Sequence, residues 1–126
     1  MNAVTGYLKI VLRLEGLFLL IATVSLYRHL GFGWPVFFWC FLLPDLAFLG
    51  YLAGPRVGAI CYNTTHSTIG AIAIGLYGLG GANALAQMAG LIWLAHIGFD
   101  RAMGYGLKYA EGFGFTHLGR VGREAR

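Results

Sequence analysis

Charge is the scarcest property of this 126-residue sequence: Asp, Glu, Lys and Arg make up 11% of it, and only five of them are acidic. Soluble domains carry about 25% charged and about 45–50% apolar residues, whereas 58% of this chain is hydrophobic. A soluble globule of this size would expose apolar patches beyond the few hundred Å² usual on monomers. That class is set aside, and the hydrophobic excess is assigned to lipid. Cysteine is scarce as well. Cys40 and Cys61 both lie in apolar runs, too few for a disulfide framework and without metal-finger spacing. The net charge of +4 could suit nucleic acid. No aromatic-basic alternation or recognition helix accompanies it, however, so no nucleic-acid partner is expected.

What is present is a series of long apolar runs. Residues 57–99 contain no Asp, Glu, Lys or Arg across 43 positions, about twice what one helix needs to cross a hydrocarbon core. A reversal at residues 78–83, rich in Gly and Asn, divides this run into two spans. Upstream, Asp45 is the one charge between His29 and Pro55, and Gly54-Pro55 is a helix-stop pair. The first span is uncharged only over residues 16–27, and snorkelling Lys9 and Arg13 extend it. A cleaved signal peptide is disfavoured there, because Glu15 abuts the apolar stretch and no A-x-A-like site follows.

The expected fold is therefore all-α: an integral membrane four-helix bundle with short loops and helices near 8–30, 33–53, 56–78 and 83–104. Residues 1–104 form the transmembrane domain, and 105–126 a glycine-rich, basic cytoplasmic tail. Lys9, Arg13, Arg56, Arg101, Lys108, Arg120, Arg123 and Arg126 then share one side, and Arg28 stands alone on the other. This asymmetry places both termini in the cytoplasm of a multi-pass inner-membrane protein. Small residues such as Gly70, Ala71, Gly75, Gly78, Ala86 and Gly90 allow close helix approach within the bundle. The segment 106–117, aromatic and glycine-rich, is expected to lie over the cytoplasmic mouth and bring His117 toward Asp100.

Ionisable groups inside spans are costly and face the bundle interior. At about 1.5 Å per residue, Asp45, Asn63, His66 and His96 fall roughly 10–15 Å deep, and Asp100 about 5–6 Å. His96 and Asp100 stand one turn apart on one helix face, with Trp93 above them. Tyr62, Asn63 and His66 share another face. Pro44 leaves the carbonyl of Cys40 free, so a kink is expected beside Asp45. Arg13, Glu15, Arg56 and Arg101 lie shallower and read best as an ion-pair layer, with Asp100 able to pair with Arg56.

Several motifs carry a resemblance: Arg13-x-Glu15, Pro44-Asp45, the stretch from Gly50 to Ala59, Tyr62-Asn63-x-x-His66, His96 through Arg101, Gly104 through Tyr109, and Thr116-His117-Leu118-Gly119. Over nearly the whole chain the sequence resembles the bacterial family called Domain of Unknown Function 4260. The resemblance implies a small inner-membrane protein with four helices and supplies no activity. Where the family pattern has a proline shortly after the histidine, this chain has Ser67-Thr68-Ile69-Gly70, so a straighter upper third helix is expected. A fainter similarity, to membrane-bound metal-dependent hydrolases, rests on His and Asp at helical spacing and on the Thr-His pair.

Three functions are open on these residues. As an enzyme, the chain holds a divalent metal, zinc foremost, on Asp45, His66, His96 and Asp100, with His117 as a further ligand. It then hydrolyses a lipid-like or anionic ester, whose head group meets Arg56, Arg101 and Lys108. As a structural or accessory subunit, it uses the same polar groups as hydrogen-bonded glue. As a proton-coupled transporter or channel, it relays protons through them and needs a homo-oligomer or a larger membrane complex.

Overall fold

The computed structural model describes residues 3–125; residues 1 and 2 and the basic Arg126 lie outside it. The chain is mostly helical. Helix α1, Gly6–His29, carries Arg28 and His29 in its last turn, where positive charge complements the helix dipole. Helix α2, Trp34–Cys40, is short. It is followed by a 3₁₀ helix, Leu43–Ala53, so the predicted second span is two elements rather than one. Pro44 explains the change, since it lacks an N–H and its ring crowds the carbonyl four residues back. The N–H of Asp45 accordingly bonds the Leu42 carbonyl, three residues back, at 3.0 Å.

Runs of 3₁₀ helix beyond three or four residues are uncommon, and this one has eleven residues. The sequence supports it with a strict period of three. Residues i and i+3 eclipse in a 3₁₀ helix, so Leu43, Leu46, Leu49 and Leu52 form one stripe, exposed from 53% to 88%. Asp45, Phe48 and Tyr51 form a second stripe, and Pro44, Ala47, Gly50 and Ala53 a third of small residues. Gly50 lets the next helix approach: a Cβ there would lie 2.7 Å from the Cβ of Cys61.

Helix α3, Pro55–His66, and helix α4, Thr68–Gly80, replace the predicted third span. Ser67 between them is extended, at φ −77° and ψ 151°, and its hydroxyl caps α4 by accepting from the Ile69 N–H at 3.2 Å. The expected straighter helix is thus corrected. A serine N-cap interrupts the helix here as a proline would, because its side chain offers the backbone a non-helical hydrogen bond.

Helix α5, Ala84–Ala102, is the central element and packs against α1 and α4. Glycines make both crossings close. A Cβ on Gly98 would lie 2.7 Å from the Leu20 nitrogen and 2.8 Å from the Gly16 carbonyl oxygen, and one on Gly90 would lie 2.8 Å from the Gly75 Cα. After α5 the tail folds back as a two-stranded antiparallel hairpin, β1 Phe115–Thr116 and β2 Gly119–Arg120. Lys108 bridges to Thr116, the Val4 N–H donates to the His117 carbonyl at 2.8 Å, and Leu118 is fully buried.

Candidate metal centre

Two helix breaks and one continuous helix set the site. Asp45 stands at the start of the 3₁₀ segment, His66 is the last residue of α3, and His96 and Asp100 are one turn apart on α5. The Nε2 atom of His66 lies 3.2 Å from Asp45 Oδ1, 3.2 Å from His96 Nε2 and 3.3 Å from Asp100 Oδ2. His96 Nε2 lies 3.1 Å from Asp45 Oδ1 and 3.3 Å from Asp100 Oδ2. One ligand atom from each of the four residues falls within 4.8 Å of all the others.

These distances describe convergence rather than pairing. An imidazole Nε2 carries one proton or one lone pair, yet each of the two here faces three polar atoms within 3.3 Å. A single proton satisfies one such contact; a cation at the common centre satisfies all of them. Zinc-to-nitrogen and zinc-to-oxygen distances of about 2.0–2.1 Å imply tetrahedral edges of about 3.3–3.4 Å, close to five of the six spacings, the wider one being between the two carboxylates, within 4.8 Å. Two carboxylates and two neutral imidazoles carry the charge that a divalent ion cancels, which removes the cost of burying unpaired carboxylates. The donor set therefore fits such an ion.

The surroundings orient the ligands. His66 Nδ1 lies 2.9 Å from both the Tyr62 carbonyl oxygen and Thr65 Oγ1, and a proton on Nδ1 directed at that carbonyl would leave the Nε2 lone pair facing the cluster. Tyr62 stacks on the same imidazole, with ring centroids 3.7 Å apart at 7°. The breaks free carbonyls, and side chains from elsewhere take them up. Thr65 Oγ1 donates to the Pro44 carbonyl at 3.1 Å, the Trp93 indole N–H donates to the Thr65 carbonyl, and Arg101 Nη2 donates to the His66 carbonyl at 3.1 Å. Irregular backbone inside a protein is tolerated where other groups satisfy its hydrogen bonds in this way. His66 and His96 are sealed, with side chains 2% and 1% exposed, while those of Asp45 and Asp100 are 30% and 13% exposed. The carboxylates face a cavity of 310 Å³ under the tail, also lined by Tyr62, Tyr105, Lys108 and Phe113.

The other predicted residues are placed differently. His117 stays outside the cluster: its Nδ1 accepts from the Leu107 N–H at 2.8 Å. Burial and the nearby Arg101 guanidinium hold the His117 imidazole below its ordinary pKa. Asn63 clamps the tail rather than the cluster, donating to the Lys108 carbonyl at 2.8 Å and accepting its N–H at 2.7 Å. The expected ion-pair layer is corrected, because among the described residues the ion pairs join histidines to aspartates. Glu15 and Arg56 are exposed, and Arg13 instead caps α5 by donating to the Ala102 carbonyl at 2.9 Å. Asp100 pairs with the two histidines, not with Arg56. Sequence reasoning missed Thr65 and Phe48. The signal for Phe48 was its place three residues after Asp45 in the period-three run; Thr65 had only its adjacency to His66.

A family model described as Domain of unknown function (DUF4260) matches residues 9–121, and the chain belongs to that family. No curated protein and no solved structure matches it.

Proposed function

We propose that this member of the DUF4260 family is a multi-pass protein of the bacterial inner membrane whose second and third spans are each built from two helical segments. Its Asp45, His66, His96 and Asp100 hold one divalent metal ion, zinc foremost, and hydrolyse an ester at the cytoplasmic side. The observation that carries the metal reading is the convergence of two Nε2 atoms and two carboxylates on one point, with five mutual distances of 3.1–3.3 Å. Membrane residence is supported by two segments long and apolar enough to cross a bilayer, Gly6–His29 and Trp34–Ala53. Outward apolar side chains support it too: Trp39 is 85% and Leu52 88% exposed, more than water tolerates in such numbers. The basic asymmetry supports cytoplasmic termini.

When bound, a divalent ion supplies Lewis acidity and brings a water within reach of its ionised form near neutral pH. The protein's own contribution is positional. Tyr62 and its carbonyl fix the His66 ring, the two helix breaks bring Asp45 and His66 to one depth, and the partly exposed carboxylates turn the centre toward the tail cavity. Tyr105, Lys108, Phe113 and Val121 of the tail wall that cavity, which limits bulk water around the reacting group.

Elemental analysis of protein purified without chelator tests the reading. One equivalent of metal is expected, lost in both His66→Ala and His96→Ala while each variant still inserts. Protein that is metal-free and takes up no zinc, manganese or iron at neutral pH contradicts it and leaves the hydrogen-bonded accessory role.

A further inference from the structure

We propose that the cavity beneath the tail hairpin is an oxyanion site in which Lys108 faces the metal centre, and that the ester cleaved there is a phosphate ester. This inference rests on the metal-site reading and assigns its substrate class.

Lys108 is 6% exposed, an unusual place for an ammonium. Its backbone is fixed on both sides by Asn63 and by the bridge to Thr116. The side chain is therefore presented by design of the hairpin rather than by chance. Its Nζ lies 3.8 Å from the centre of the Phe113 ring and 4.8 Å from that of Tyr62. Among the described residues no carboxylate pairs with it. Burial lowers its pKa to about 8, opposed by Asp100 and Asp45, and an anion beside it would favour the charged form. Two aromatic faces stabilise a cation only in part. The missing counter-charge must come from what enters the 310 Å³ cavity.

Charge selects the ligand. With a divalent ion the two aspartates are neutralised, and Lys108 leaves the site at +1. A carboxylic ester is neutral and would leave the ammonium uncompensated. A phosphodiester carries one negative charge and two unesterified oxygens, enough to meet both the ammonium and the centre facing it. The reaction balances with water alone. The water oxygen bonds to phosphorus, the ester P–O bond breaks with its electron pair going to the alcohol oxygen, and the proton released by water ends on that alcohol.

Inorganic phosphate titrated calorimetrically into the full chain in nanodiscs, with and without zinc, provides the test. Lys108→Met keeps the aliphatic stem and removes the charge. It is expected to bind zinc as the parent does and phosphate roughly tenfold or more weakly, with Lys108→Arg restoring binding. Equal phosphate affinity in parent and Lys108→Met, or no phosphate binding in either zinc state, overturns the proposal. Phosphate binding that depends on Lys108 in protein unable to hold zinc supports the anion site while removing the metal reading. Competition by glycerophosphoethanolamine then identifies a soluble diester. Competition only by phosphatidylethanolamine in the nanodisc identifies the same group on a lipid.

Discussion

His66 owes its role to one neighbour four residues earlier. Tyr62 contributes both the carbonyl that faces Nδ1 at 2.9 Å and the ring that stacks at 3.7 Å, and orienting groups of this kind typically change metal affinity 10–100-fold. Tyr62→Ala is expected to weaken zinc roughly tenfold or more, and Tyr62→Phe, which keeps the stack and the backbone, to change it little. Competition against a chromophoric chelator measures both, and equal losses in the two variants would point to the hydroxyl instead. At this scale the convergence of Asp45, His66 and His96 was legible from residue counting. Asp100 was placed too shallow, because counting follows the backbone. Helical side chains tilt toward the N-terminus, which carries its carboxylate back to the Nε2 of His96 at 3.3 Å. Asn63 was put in the site because it shares a face with His66; its partner, the Lys108 backbone, is a long-range contact that no local spacing encodes.

Elements differ in how openly the sequence declares them. Helix α1 was legible from its length and hydropathy and helix α5 from the Asn83 turn and the uncharged run that follows it. The breaks at Pro44 and Ser67 were not, since hydropathy runs straight through both; only the period of three after Pro44 and the capping chemistry of Ser67 record them. Glycine roles are likewise specific to each crossing. Gly98→Ala should destabilise the protein by about 1–3 kcal/mol, the usual cost of overpacking, because its Cβ would meet the backbone of α1. Gly75→Ala places its Cβ in open space and should be neutral or stabilising by up to about 1 kcal/mol. Unfolding in mixed micelles compares them, and similar stabilities would contradict the crossing described. The tail hairpin carries a pH dependence of its own. His117 is held below its ordinary value of 6.5, so the folded tail binds the proton less readily than the unfolded one. Its contribution to stability is complete above pH 6.5 and declines as pH falls from there toward the folded value. Proteolysis within 105–125 should accelerate over that window in the parent chain and lose this dependence in His117→Gln; a flat profile in the parent chain would contradict it.

For the whole molecule, the decisive arrangement is a polar centre built at interruptions in an apolar helical frame. The exposed leucine stripe of the 3₁₀ segment faces outward while Asp45 of the same segment turns inward. The hairpin is tied to the start of α1 through Val4 and leaves the carboxylates, not the imidazoles, beside the cavity. Composition announced the apolar frame, and the aromatic, glycine-rich segment 106–117 pointed to a tail lying over the site; the hairpin pairing and the Asn63 clamp, which join residues far apart in sequence, left no local signal. The central claim is that these four residues form one coordination shell, and X-ray absorption at the zinc edge of the loaded protein in nanodiscs tests it most directly. The account predicts four to five nitrogen or oxygen neighbours at about 2.0–2.2 Å, the protein's ligands and a water, with the outer-shell scattering of two imidazoles. A six-oxygen shell, a sulfur ligand or the absence of imidazole scattering would contradict it.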